Sequence, residues 1–426
     1  MNCVTRQLRW LLLGVFLGVW GCGESLSSDS PIDSATDEVA STASVRPIDG
    51  ACSESGCLRW ALFLGDIPWL ELTGYLPAGT AIDHGYSIWQ IGYVTDGRDA
   101  VATLTVPFGV ESPEDGWHVV INNPGTVGVG DGCAPSQSAA ATGLAGLFGA
   151  RGLLGVTLDY PGLGTAGTHP YLVAEVNGRA SLDALRAVRR LSERFSIPLS
   201  GRLAMVGLSQ GGHTTLSAAR MWAGYAPDLD LRAFAAAAPA TVFAEHWVPH
   251  IGTTGSHMAY HALLVYAWSQ FYGGSELPIW LPTLEAEIDS IMEEHCLYSS
   301  TDLTLTSMLG TDAEAIFDGA FLAAYGAGDF SDYDFMERGF SENRLASFEQ
   351  TVPIRIYHGS DDQVVLPEDT RTWVESFNAA GMEVELIEVP GGTHEDVAFG
   401  YLATPQSHTL DSIDWLKAQL DGSGIP

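Results

Sequence analysis

From residue 83 onward, short apolar runs alternate with stretches whose apolar residues recur every three to four positions. A strand covered on both faces reads as a continuous apolar run, whereas a helix packed on one side carries a stripe of period 3.6. The runs predict strands over 87–94, 100–106, 117–122, 153–158, 203–207, 233–238, 354–358 and 383–389. The stripes predict helices at about 137–149, 180–195, 210–223, 367–380 and 408–420. In the second of these, Leu182, Leu185, Val188 and Leu191 share one face, with Arg186, Arg189, Arg190 and Glu193 away from it. Such alternation builds an α/β sheet flanked by helices.

Between about 240 and 350 the alternation fails. The segment carries aromatic clusters, among them Tyr260, Tyr266, Trp268, Phe271, Tyr272 and Trp280, and little strand pattern. It predicts a mostly helical insertion. Because the strand–helix pattern resumes at Val352, the insertion interrupts one domain, 51–426, instead of ending it. Two expectations follow: a lid whose apolar face meets lipid, or an ordinary cap packed on the sheet.

The first fifty residues follow neither pattern. Arg6 and Arg9 precede an apolar run from Trp10 to Trp20, shorter than the ~20 residues of a spanning helix but suited to a signal peptide over 1–21. Val19-Trp20-Gly21-Cys22 resembles a bacterial lipobox. It predicts lipidation of Cys22 and a cell-envelope lipoprotein tethered to the membrane, with simple secretion as the alternative. Residues 22–50, rich in Ser, Asp, Thr and Ala, lack the apolar side chains for a core and predict a disordered tether.

Composition narrows the partners. The 426 residues hold 19 Lys and Arg against 52 Asp and Glu, a formal charge of −33. Nucleic acid is excluded, because its binding draws mainly on Lys and Arg displacing counterions. Loss of 1–21 would remove two Arg and no acid, so the exported chain is more acidic still. Beyond Cys3 and Cys22, four cysteines remain, and an oxidising compartment makes disulfides the default. Of the three pairings, Cys52–Cys57 with Cys133–Cys296 is preferred, since the first two are close in sequence. Zinc is the alternative, for which one CxxxxC and two distant cysteines make a poor frame.

The chemistry centres on Gly207-Leu208-Ser209-Gln210-Gly211, preceded by the strand run Leu203–Val206 and followed by a small-residue helix. A serine on a sharp strand-to-helix turn needs small neighbours two residues either side. It also needs a base, and the base an orienting acid, which arrive in the order Ser, acid, His in α/β-hydrolases. The strand at 354–358 runs into Gly359-Ser-Asp-Asp-Gln363, and the strand at 383–389 runs into Pro390-Gly-Gly-Thr-His394. His394 is thus the expected base, and spacing leaves Asp361 and Asp362 both open as the acid. Backbone donors for an oxyanion are expected at Gln210, directly after the nucleophile, and at Thr126 in Asn123-Pro-Gly-Thr-Val-Gly128.

Two other signals read as structural. His246, His250, His257 and His261 form two i, i+4 pairs, but no HExxH or carboxylate completes a metal site. Asp329-Phe-Ser-Asp-Tyr-Asp334 lacks the Gly and final Glu of a calcium loop. No metal or organic cofactor is expected.

Asp159-Tyr-Pro-Gly-Leu-Gly-Thr-Ala-Gly-Thr-His-Pro-Tyr171, Gly207–His213, Tyr225-Ala-Pro-Asp-Leu229 and Cys133-Ala-Pro-Ser136 together resemble the secretory lipase family (lipase-A-like) of the α/β-hydrolase superfamily. The likeness runs from about Leu76 to Leu416 and is weak across 245–345. It implies a mostly parallel central sheet with a helical cap or lid inserted after the strand following the nucleophile helix. It also implies a lipase or carboxylesterase with Ser209 as nucleophile, Asp362 as acid and His394 as base. Cys133 and Cys296 match positions that are disulfide-linked in some relatives. Bacterial relatives often read His-Gly-Thr in the oxyanion loop, where this chain has Pro124-Gly125-Thr126.

The expectation is an exported serine ester hydrolase acting on acyl esters or lipids through an acyl-enzyme. A peptidase or an acetyl or feruloyl esterase on the same triad is one alternative. A surface-tethered binding lipoprotein without catalysis is the other.

Overall fold

The computed structural model describes residues 46–47, 52–72, 82–138, 140–241, 244–298, 303–349, 351–398 and 408–423. The expected signal segment, Cys22 and nearly all of the tether lie outside the described residues.

Ten strands form one sheet: β1 (Arg46–Pro47), β2 (Leu58–Ile67), β3 (Gly85–Thr95), β4 (Arg98–Phe108), β5 (Trp117–Asn123), β6 (Leu154–Asp159), β7 (Leu199–Leu208), β8 (Asp230–Ala237), β9 (Ile354–Gly359) and β10 (Val384–Val389). Their order is β1-β2-β3-β4-β6-β5-β7-β8-β9-β10. β1 to β4 form antiparallel pairs and β4 meets β6 antiparallel, whereas every pair from β6 to β10 is parallel. Every strand expected from the apolar runs is present. β2 escaped the pattern because its register against β3 shifts twice, at Leu58/Trp60 and Phe63/Gly65, and a bulge breaks the two-residue period.

Helices cover both faces: α1 (Ala140–Ala150), α2 (Ala174–Phe195), α3 (Gln210–Tyr225), then α10 (Pro367–Ala379) and α11 (Thr409–Asp421) after β9 and β10. The stripe Leu182, Leu185, Val188 and Leu191 is buried, as its spacing required. α2 starts at Ala174, earlier than the expected 180, because its first turns face protein with small and polar groups instead of a stripe. Ala174 N–H donates to Asn343 Oδ1 (2.9 Å), and Asn177 Nδ2 donates to the Pro170 carbonyl (2.9 Å).

Between β8 and β9 lie α4 (Ala244–His250), α5 (Met258–Tyr272), α6 (Ile288–Glu294), α7 (Leu305–Leu309), α8 (Gly319–Ala327) and α9 (Asp334–Asn343). This helical layer has its own core, with Tyr266, Trp268 and Trp280 buried beside Phe317, Phe321 and Phe335. The aromatic content that suggested a lipid-facing lid therefore points mostly inward, where each buried large side chain contributes ~1.5–3 kcal/mol. Tyr298, Leu303 and Met308 remain exposed on the layer. Among the described residues no helix is long and apolar enough to cross a membrane.

β5 sits between β6 and β7, so successive crossovers leave it in opposite directions along the sheet. Loops after β5 and β7 consequently diverge and leave a crevice at the carboxyl edge, the position where open α/β sheets bind ligands.

Candidate active site

β7 ends at Leu208 and α3 begins at Gln210, so Ser209 alone turns the chain. Its φ of 55° and ψ of −114° are strained for a residue with a Cβ, a cost of roughly 1–3 kcal/mol. Hydrogen bonds hold the turn: Ser209 N–H donates to the Ala237 carbonyl (2.8 Å), and its own carbonyl accepts from His213 (2.9 Å) and Ala240 (3.2 Å). A Cβ on Gly207 would collide with the Gly211 backbone, and one on Gly211 with the Asn123 carbonyl. The two glycines of the motif thus let the turn close and α3 approach the loop after β5. Ser209 is 6% exposed and borders a cavity of about 300 Å³.

Asp362 and His394 stand on the loops after β9 and β10. Asp362 is fully buried, and its Oδ1 accepts from Val364 N–H (2.8 Å) and Val365 N–H (2.9 Å). Oδ2 lies 2.7 Å from His394 Nδ1. Burial by itself would raise the carboxyl pKa, but hydrogen bonds from His358 and His394 outweigh it and hold the group well below the usual carboxylate range. An ionised carboxylate only accepts, so His394 carries its proton on Nδ1 and leaves Nε2 with a free lone pair. Asp361, in contrast, is exposed and accepts from Ser360 Oγ at 3.0 Å. Among the described residues the Ser209 hydroxyl makes no hydrogen bond.

His358 was not anticipated. Its Nε2 donates to the Val365 carbonyl (2.9 Å) and lies 3.3 Å from Asp362 Oδ2, so two imidazoles share one carboxylate. The i, i+4 spacing of His358 and Asp362 across the end of β9 was the available signal.

The Gln210 N–H opens α3, where helical geometry leaves it without an intrahelical acceptor and the helix dipole favours negative charge. Thr126 is buried in the loop after β5, and its N–H donates no hydrogen bond among the described residues. A buried relay aligns that loop with α3: Ser181 Oγ donates to Asn123 Oδ1 (2.6 Å), and Asn123 Nδ2 donates to Thr215 Oγ1 (2.9 Å).

Both expected disulfides are present, with Cα separations of 6.3 Å for Cys52–Cys57 and 5.4 Å for Cys133–Cys296. His257 and His261 make other contacts, to Thr253 Oγ1 (2.8 Å) and the Tyr325 hydroxyl (2.9 Å), while the His246 side chain is outside the described set. Among the described residues no group of three His, Cys, Asp or Glu is arranged to hold a metal ion. Asp329 caps its own turn by accepting from Ser331 N–H at 3.2 Å.

A second Ser–His–Asp chain sits at the opposite end of β7. Ser200 Oγ lies 2.6 Å from His118 Nδ1, and His118 Nε2 lies 3.0 Å from Asp421 Oδ1. Ser200 accepts from Arg202 N–H within the strand and begins no helix, so this chain ties α11 to the sheet.

A serine on a strained strand-to-helix turn, facing the loops of later parallel strands at a topological switch point, defines the α/β-hydrolase class. Within it the secretory lipase family model matches residues 144–425, and the chain belongs to that family. Lipase 2 of Candida albicans is 22% identical over 63% of this chain, and Lipase 1 of the same organism 25% over 65%. The chain spans just over half the length of these relatives, 55% and 56%. The rice cell wall degrading esterase LipA from Xanthomonas oryzae shares the fold with a TM-score of 0.74 at 20% identity, over 86% of this chain and 99% of its own. Candida antarctica lipase A does so with a TM-score of 0.63 at 16% identity, over 88% and 84%.

Proposed function

We propose that the chain is an exported serine ester hydrolase that cleaves acyl esters through an acyl-enzyme. The observation that carries this reading is the short Asp362–His394 hydrogen bond on loops beside the strained Ser209 turn. Ser209 Oγ attacks the ester carbonyl, forming the Oγ–C bond while its proton passes to His394 Nε2. The Gln210 and Thr126 amides receive the oxyanion. Collapse breaks the C–O bond of the leaving alcohol, which takes the proton from His394. Water then repeats the sequence and frees the acid. Asp362 fixes the imidazole tautomer and stabilises the imidazolium. The chemistry draws on no metal or organic cofactor.

Family membership and the two disulfides support a site of action outside the reducing cytoplasm, with the signal segment as the route and Cys22 as a membrane tether. A cavity of about 300 Å³ stands at the lower end of the ~300–1,000 Å³ range of small-molecule sites. That size favours short acyl groups or small alcohols over a full-length fatty chain. The test is turnover of p-nitrophenyl esters from acetyl to palmitoyl by wild type and Ser209→Ala. Wild type is expected to prefer the short chains and Ser209→Ala to be inactive on all of them. Retained activity in the variant would overturn the mechanism, and a palmitoyl preference the size argument.

A further inference from the structure

The Asp159–Tyr171 segment carries much of the family likeness, yet none of its residues enters the reaction above. It makes three side-chain contacts with the elements around the nucleophile. The Tyr160 hydroxyl donates to the Pro124 carbonyl at 2.9 Å, at the start of the oxyanion loop. The Tyr171 hydroxyl lies 3.0 Å from Thr126 Oγ1. His169 Nε2 lies 2.5 Å from Gln210 Nε2, and both side chains are fully buried.

We propose that this segment is a brace that fixes the two oxyanion donors relative to one another, with His169 and Tyr171 as positioning residues. The inference rests on the assignment of the Gln210 and Thr126 amides as those donors. They come from different elements, and the Thr126 N–H has no acceptor among the described residues to hold it. Their side chains are gripped by residues only two positions apart on one segment.

That segment is itself stiff. The Tyr160 and His169 rings stack at 4.9 Å, and Tyr171 presents its edge to His169 at 6.3 Å. A Cβ on Gly162 would strike the backbone of Thr168 and His169, so the loop folds tightly onto itself with Gly162 at a φ of 81°. Trp268 Nε1 anchors the far end by donating to the Tyr171 carbonyl at 3.1 Å. Burial lowers the His169 pKa to about 3, which keeps the ring neutral and able to pair with the Gln210 amide. Gln210 Oε1 has no hydrogen-bond partner among the described residues, so the Nε2 contact with His169 is what orients that side chain.

An oxyanion hole acts through donors held before charge develops, and a donor displaced by about 1 Å loses much of its worth. The test compares Tyr171→Phe, Thr126→Val, Thr126→Ser and His169→Gln with wild type on p-nitrophenyl butyrate. It also measures inhibition by an alkyl boronic acid, whose tetrahedral adduct on Ser209 mimics the transition state. Tyr171→Phe and Thr126→Val break the same bond from either side and are expected to lower kcat roughly 10–100-fold, with KM little changed. Boronate affinity should fall by the same factor as kcat/KM. The double variant should lose no more than either single one, and Thr126→Ser, which keeps the hydroxyl, should recover. His169→Gln is expected to act in the same direction.

Folded Tyr171→Phe and Thr126→Val proteins with wild-type kcat and boronate affinity would overturn the brace. So would a loss confined to KM. Fluorophosphonate labelling separates this from the underlying reading: failure of wild type to label at Ser209 removes the catalytic assignment itself, whereas normal labelling with unchanged variants removes only the brace.

Discussion

Asp361 and Asp362 are neighbours in sequence with unlike surroundings, one exposed beside Ser360 and the other sealed against two imidazoles. Spacing along the chain left both open as the acid, because adjacent residues in a loop point in directions that no periodicity predicts. Asp362→Asn is expected to lower kcat by about 10⁴-fold through the wrong imidazole tautomer, and Asp361→Asn to leave it nearly intact. Comparing the two variants on one p-nitrophenyl ester decides it. The sharp turn at Ser209 and the loop position of His394 were legible because a motif and a chain order announce them. His169 was not, since its partner Gln210 is 41 positions away and pairs with it only through the fold.

Asp159 is another case in which surroundings decide chemistry. Its Oδ1 accepts from Ser136 N–H at 3.0 Å, but Oδ2 has no partner among the described residues, and burial raises the pKa to about 7. The folded protein then holds a proton that the unfolded chain releases near pH 4. Stability from this group is complete below about pH 4 and is lost as pH climbs through about 7, a difference on the order of 4 kcal/mol. Asp159→Asn, neutral at every pH, is expected to melt with a flatter dependence between pH 4 and 8. Parallel melting curves for the two proteins would refute the raised pKa.

At the scale of elements, the strands from β3 to β10 could be read because the central ones bury both faces and so leave long apolar runs. β2 could not, since bulges scramble its alternation, and the start of α2 was masked by buried small and polar residues. The helical insertion was legible as a break in pattern, but not the direction its aromatics face, which depends on how six helices pack on one another. The Cys133–Cys296 bridge binds the segment after the β5 loop to the helical layer just beyond α6, across 163 residues of sequence. Closing a loop that long restrains the unfolded chain, and removal of the bridge by Cys133→Ala with Cys296→Ala is expected to cost about 2–5 kcal/mol. Thermal or denaturant unfolding measures it. A change within error would mean that packing alone holds the layer.

For the molecule as a whole, the formal charge of −33 acts against its own compactness. Arginines offset part of it locally: Arg186 and Arg189 both pair with Asp228, whose pKa they help to lower to about 2. Most acids have no such neighbour to spare, given 52 of them against 19 bases. Raising ionic strength from about 0.01 M to 0.15 M shortens the screening distance from ~30 Å to ~8 Å and is expected to raise the melting temperature. A fall would mean that local ion pairs outweigh the long-range repulsion.

The bridge also has a consequence in time. Cys133, Ser209 and Cys296 precede Asp362 and His394 along the chain. A chain delivered amino end first can therefore enclose Ser209 in a covalent ring before Asp362 and His394 have emerged. β9 docks on β8 and β10 on β9, so the final two strands to arrive are the ones that carry the Asp362 and His394 loops. On the proposed mechanism, a chain exported in that order lacks both partners of Ser209 until the loops after β9 and β10 have arrived.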